Sequence, residues 1–214
     1  MRFPCRQKLR KAKIAYGLDP NKNVLPEVPV GPVSRWHVNP IINGARYEPV
    51  AELPEWIDGG FQVPTLSPIG CLLRRTAPLP YGGTVTIDYE LSGPVEEYLR
   101  GQSNHSAPTL GIIIIKRNAD WSGQPPSHEH RWYCNTFLPV TPGRHVVSIP
   151  LTIAEWNGPT VDKYVPPVTE AGLRATCADP EWIGPCMGDE TGRAHSWQAT
   201  GPGVVFQVYD LSAA

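Results

Sequence analysis

No run of 18 apolar residues occurs in this sequence, so no helical membrane span is expected. The basic start is not followed by an apolar stretch of signal-peptide length, so no leader is read and synthesis in the cytoplasm is expected. Missing too are G-x-S-x-G, H-E-x-x-H and a phosphate-binding P-loop. Their absence removes the signatures of common serine hydrolases, zinc peptidases and nucleotide-hydrolysing enzymes. The five cysteines (Cys5, Cys71, Cys134, Cys177, Cys186) include no C-x-x-C pair, which excludes zinc-ribbon and thioredoxin-type readings on spacing. Net charge is nearly absent as well: a formal value of -1 gives no global pull toward nucleic acid or anionic membrane.

What the chain has in abundance is chain-breakers. With 25 Pro and 20 Gly in 214 residues, few helices longer than two turns fit between them. No long window keeps a 3.6-residue apolar period free of these residues, so the expectation is an all-β fold. The length suits one domain with an arm. Residues 1–33 read as a basic, Pro-rich extended arm and residues 34–214 as the folded domain. Arg2, Arg6, Lys8, Arg10, Lys11 and Lys13 crowd the first thirteen residues with no acid among them. Residues 25–32 then repeat proline in a polyproline-like pattern. Such an arm suits docking on an acidic partner chain. Nucleic acid is not the expected partner, because the only interleaved aromatics are Phe3 and Tyr16.

The stretch from Thr109 to Phe137 looks central. Four consecutive isoleucines, Ile112 to Ile115, are too β-branched for a comfortable helix and read as a strand buried on both faces. A polar loop, Lys116 to Glu129, separates them from a second strand-like run, His130 to Phe137. The clearest period-two signal is Thr84 to Leu91, with Val85, Ile87, Tyr89 and Leu91 on the core face and Thr84, Thr86, Asp88 and Glu90 toward water. Further strands are expected near Ser34 to Val38, Phe61 to Val63, Ile69 to Thr76, His145 to Leu151 and Val204 to Leu211. Short helical pieces are expected at Val95 to Arg100, Thr152 to Trp156 and Val168 to Ala175. Cys177 to Gly192 reads as a long irregular loop holding Trp182. Seven or eight short strands with Pro/Gly turns imply an antiparallel two-sheet sandwich of jelly-roll type.

Three segments resemble the β-sandwich modules that bind carbohydrate: Leu79-Pro80-Tyr81-Gly82-Gly83-Thr84-Val85, Pro142-Gly143-Arg144-His145-Val146-Val147, and Gly201-Pro202-Gly203-Val204-Val205-Phe206. The resemblance implies the sandwich fold and, secondarily, a glycan ligand. Trp121, Trp132, Trp156, Trp182 and Trp197 supply flat rings that either stack on a sugar, anchor an interface or cap the core. Trp121 and Trp182 sit among polar and turn residues, so with Asp120 they are the expected ligand-binding set.

His128-Glu129-His130 offers a different chemistry. In an extended segment His128 and His130 point to one face and would reach one divalent metal. Cupins, metal-binding jelly rolls, use a related His pair, and Gly192-Arg193-Ala194-His195 is similar to their second motif. The acid that cupins carry after the pair is replaced here by Cys134 and Asn135. Cys177 and Cys186 bracket a Pro- and Gly-containing segment and would suit a disulfide in an oxidising compartment. Asp88, Glu90, Asp120 and Glu155 are the carboxylates a glycosidase reading would need to bring face to face. The leading expectation is a non-catalytic, cofactor-free β-sandwich docked through its arm into a larger assembly such as a virion or a surface structure. The alternatives are a carbohydrate-binding module and a cupin-like metal-dependent enzyme.

Overall fold

The computed structural model describes residues 36–39, 41–42, 46–47, 55–57, 60–65, 69–101, 106–119, 127–158, 167–189 and 196–214. The arm of residues 1–33, with Arg2, Arg6, Lys8, Arg10, Lys11 and Lys13, lies outside the described residues, as do Asp120, Trp121 and His195. The early strands are short: β1 (Trp36–Asn39), β2 (Ile41–Ile42), β3 (Arg46–Tyr47), β4 (Glu55–Ile57), β5 (Gly60–Gln62) and β6 (Cys71–Arg75). There follow β7 (Thr84–Ser92), helix α1 (Val95–Tyr98), β8 (Leu99–Gly101), β9 (Pro108–Lys116), a 3-10 turn (Ser127–Glu129), β10 (Arg131–Cys134), β11 (Gly143–Pro150) and β12 (Trp156–Asn157). Helix α2 (Glu170–Ala178), β13 (Pro180–Asp189), β14 (Trp197–Ala199) and β15 (Val205–Ala213) complete the order.

Among the described residues the chain is mostly strand and every strand pairing is antiparallel. A six-stranded sheet runs β1-β6-β13-β9-β10-β12 and a five-stranded sheet runs β11-β7-β15-β5-β4. Their facing sides share one core. β7 contributes Val85, Ile87, Tyr89 and Leu91 to it, and β9 contributes Leu110, Ile112 and Ile114. The burial of β7 alternates along its whole length, as its period-two pattern predicts. Apolar side chains placed this way contribute about 1.5–3 kcal/mol each by leaving water.

β9 lies inside its sheet, with β13 and β10 on its flanks, and residues 110–115 are all buried. Ile113 and Ile115 point away from the main core into a second apolar cluster with Cys71, Leu73, Tyr133 and Cys186. The isoleucine run is therefore a strand buried on both faces. This explains why it carries no polar alternation.

One expectation is overturned. Of the segment 177–192 expected as a long loop, residues 177–189 are described and are not a loop: Cys177 belongs to α2, and β13 runs through the centre of the six-stranded sheet between β6 and β9. Pro180, Gly184, Pro185 and Gly188 disguise it, because prolines inside a sheet normally belong to edges. Here Pro185 falls opposite Ile112, yet the Ile112 N–H is turned to the other neighbour and donates to Cys134 Sγ at 3.0 Å. On the β6 side Leu72 O lies where a Gly184 side chain would be, so only glycine fits there. Two smaller corrections concern the helical pieces. Residues 152–155 form a turn rather than a helix, and the segment expected at 168–175 starts later, at Glu170, and ends at Ala178.

Candidate functional site

The His128-Glu129-His130 motif does not adopt the extended shape that would align its two imidazoles. Ser127–Glu129 is a 3-10 turn, and β10 begins only at Arg131. His128 is buried with its Nδ1 unbonded among the described residues, while Glu129 turns toward α2. Glu129 Oε1 accepts from Thr169 N at 2.6 Å and from Thr169 Oγ1 at 2.7 Å. Thr169 is the N-cap of α2, and its Oγ1 in turn accepts from Gly172 N at 3.1 Å. A carboxylate held at this helix end also meets the positive end of the helix dipole. The main chain of Glu129 joins the same junction, its carbonyl accepting from Trp132 Nε1 at 2.8 Å and from Thr176 Oγ1 at 3.0 Å.

That arrangement makes the motif a structural junction between β10 and α2. Two glycines leave room around it: a side chain on Gly172 would meet the Glu129 carboxylate oxygens at 2.6 and 2.7 Å, and one on Gly158 would meet Val168. No group of three or more His, Cys, Asp or Glu side chains among the described residues is placed to hold a metal ion.

The tryptophans divide in the same way. Trp132, Trp156 and Trp197 are fully buried, and each indole N–H is bonded within the chain, Trp156 to Pro150 O at 2.9 Å and Trp197 to Thr109 O at 2.9 Å. They are core residues with their polar atom satisfied, not stacking platforms. Trp182 lies on a strand instead of a loop. Its ring packs beside the second apolar cluster, with the Arg75 guanidinium 5.1 Å from its centroid.

Cys177 and Cys186 are buried in different clusters and form no disulfide with each other, so the bracketed segment is held by β13 pairing. Burial pushes the Cys71 thiol up to about 12, against the pull of the Arg131 charge, and the Cys177 thiol up to about 11. Both are inert as nucleophiles at neutral pH.

The most organised polar surface is the outer face of β11, β7 and β15. The Asp88 carboxylate takes two bonds from Arg144, Nε to Oδ1 at 2.8 Å and Nη2 to Oδ2 at 2.6 Å, across the β7–β11 pairing. Those bonds hold the Asp88 carboxyl below its ordinary value. The same guanidinium lies 4.3 Å over the ring of Tyr209, whose hydroxyl donates to Glu90 Oε2 at 2.5 Å and so titrates above the usual tyrosine range. Tyr209 reaches this face through a β-bulge: the register shifts between Val208 and Asp210, so Tyr209 and Asp210 are both exposed while Val208 and Leu211 stay inside. Thr86 and Ser148 hydroxyls meet at 2.8 Å beside them. Asp88 and Glu90 were expected on the solvated face, but their link to Tyr209 was not legible because a bulge leaves no mark in the apolar period.

At the margin of this face β11 forms the edge of the five-stranded sheet and, among the described residues, pairs with β7 alone. Both Leu151 main-chain groups turn inward, Leu151 N to Gly83 O at 2.8 Å and Leu151 O to Gly82 N at 2.9 Å. Alternation then turns the N–H and C=O groups of Arg144, Val146 and Ser148 outward, away from β7. Their side chains are exposed, Val146 to 66%. The outermost carbonyl, Pro150 O, is closed off by Trp156 Nε1. Among the described residues the other edges of the two large sheets are β1, β4 and β12, of four residues or fewer, whereas β11 has eight. Short edge strands are a usual protection against edge pairing, and β11 lacks it.

No family model, no curated protein and no solved structure matches this chain. No helix among the described residues is long and apolar enough to cross a membrane.

Proposed function

We propose that the protein is a non-catalytic β-sandwich subunit that works by docking into a larger assembly. The observation that carries this reading is the β11 edge: eight residues long, the outward main-chain groups of Arg144, Val146 and Ser148 unbonded among the described residues, with an exposed valine at its middle. A strand from a partner chain extends such a sheet by main-chain hydrogen bonds. The arm of residues 1–33, basic and proline-rich, is the second docking element. The crossing of the chain between sheets from β6 to β7 to β9, and again from β10 to β11 to β12, supports a jelly-roll type of sandwich, a common subunit design in assemblies.

The test is the mass of the particle in solution. Light scattering behind size exclusion should report an oligomer for the whole chain, a smaller species without residues 1–33, and a smaller species for Val146→Lys, which sets a charge on the edge. Monomers in all three samples over a hundredfold concentration range would overturn the reading.

A further inference from the structure

We infer that the partner strand on the β11 edge is β11 of a second copy, joined antiparallel about a two-fold axis through Val146. The inference rests on the docking role proposed for this edge and adds the occupant and its register. Residues 144, 146 and 148 offer the outward main-chain groups, so a two-fold antiparallel pairing has five candidate centres, residues 144 to 148. Centring on His145 sets Ser148 opposite Pro142 and centring on Val147 sets Arg144 opposite Pro150, and each loses a ladder bond. Centring on Arg144 sets two guanidinium-bearing residues directly opposite each other, which is repulsive. It also puts Pro142 opposite Val146 of the second copy, where a missing N–H costs a ladder bond. Centring on Ser148 puts Pro150 opposite Val146, with the same loss.

Centring on Val146 avoids both faults. Pro142 and Pro150 lie four residues to either side of it, so the prolines of the two copies fall opposite each other at the ends of the ladder. Val146 meets Val146, and Arg144 meets Ser148. The outward groups then form about six main-chain hydrogen bonds. The charge pattern agrees, since each Arg144 is already held by Asp88 and Tyr209 of its own chain and brings no unpaired cation to the seam. On the core face His145, which stacks on Tyr89 at 5.2 Å, comes opposite the half-buried Val147 of the second copy and extends the apolar layer. The proline-rich arm is a poorer strand partner. Pro26, Pro29 and Pro32 fall on alternate parities, so either face of an extended arm would present at least one residue without an N–H.

Disulfide trapping tests the register. In a hydrogen-bonded antiparallel pair the two Cα atoms are about 5.5 Å apart, within the span a disulfide bridges. Val146→Cys should form a covalent dimer under mild oxidation at more than tenfold the rate of Arg144→Cys, whose own copies would lie about 14 Å apart. A mixture of Arg144→Cys and Ser148→Cys chains should give the heterodimer and little of either homodimer. An oligomer that falls apart in Val146→Lys but is not trapped by Val146→Cys would overturn the two-fold register and leave the docking edge standing. An oligomer indifferent to Val146→Lys would overturn both.

Discussion

Replacing Gly172 with alanine should weaken the protein, although helix propensity alone says the opposite. Gly172 is in the first turn of α2, where Ala is normally worth about 0.5–1 kcal/mol over Gly. In this fold the new Cβ would lie 2.6 and 2.7 Å from the two oxygens of Glu129. The carboxylate ends a flexible side chain, so it swings into water instead of straining the helix, and the cost is the loss of its bonds to Thr169 N and Oγ1. Charged hydrogen bonds of this kind contribute about 1.5–3 kcal/mol when sheltered, and partial exposure here reduces the pair to about 1–2 kcal/mol. The net expectation is a loss of about 0.5–1 kcal/mol for Gly172→Ala. In a Glu129→Ala background the carboxylate is already gone, so the same substitution should stabilise by about 0.5–1 kcal/mol. The double variant should then match Gly172→Ala alone. Urea unfolding of the four proteins at equal m-values measures each difference, and the coupling should be about 1–2 kcal/mol. If Gly172→Ala stabilised both backgrounds equally, the assigned contact between Glu129 and the start of α2 would be wrong.

Two other substitutions examine the sheets. Ile114→Ala in the main core and Ile113→Ala in the second cluster should each cost about 2–5 kcal/mol by denaturant unfolding, because both side chains are fully buried; a loss below 1 kcal/mol at Ile113 alone would mean that the second cluster is not a core. Asp88 titrates below its ordinary value because Arg144 favours the carboxylate, so its contribution is complete above pH about 4 and fades as pH falls through the depressed folded value. Asp88→Asn should therefore flatten the acid limb of the stability profile below pH about 4, and an unchanged limb would contradict the pairing.

The sequence makes some elements legible for a plain reason. Thr84 to Leu91 alternates without interruption, because one side of β7 faces the core and the other faces water. The isoleucine run is legible through composition, since only a strand covered on both sides uses four β-branched residues in a row. β13 is not, because its Pro and Gly residues imitate a loop, and what permits them is the placement of Leu72 O and the turn of the Ile112 N–H, both set by tertiary pairing. The site divides similarly. Asp88 and Glu90 sit where alternation puts them, but Arg144 and Tyr209 arrive from β11 and from a bulge in β15, at sequence separations of 56 and 119 residues from their partners. The spacing of His128-Glu129-His130 implies metal chemistry in an extended chain, whereas Ser127–Glu129 forms a 3-10 turn, a local shape the spacing does not signal. Trp182 reads as part of an irregular loop because Pro and Gly surround it, and it lies on β13 instead, paired with Arg75 and half-buried beside the second cluster.

The strand order also governs how this chain is made. β13 separates β6 from β9, and β15 separates β7 from β5, yet both are translated after every strand they lie between. On a ribosome moving at about 5–20 residues per second, β9 emerges roughly 4–15 seconds before β13 can cover its flank. During that interval four isoleucines stand without their neighbour, the condition in which holding chaperones act and aggregates nucleate. Neither sheet can propagate by adding neighbours in order of synthesis; each must admit a late strand at its centre. Completion of the fold consequently waits on two late long-range pairings, slow on the scale of small proteins and sensitive to how quickly the remaining chain is delivered.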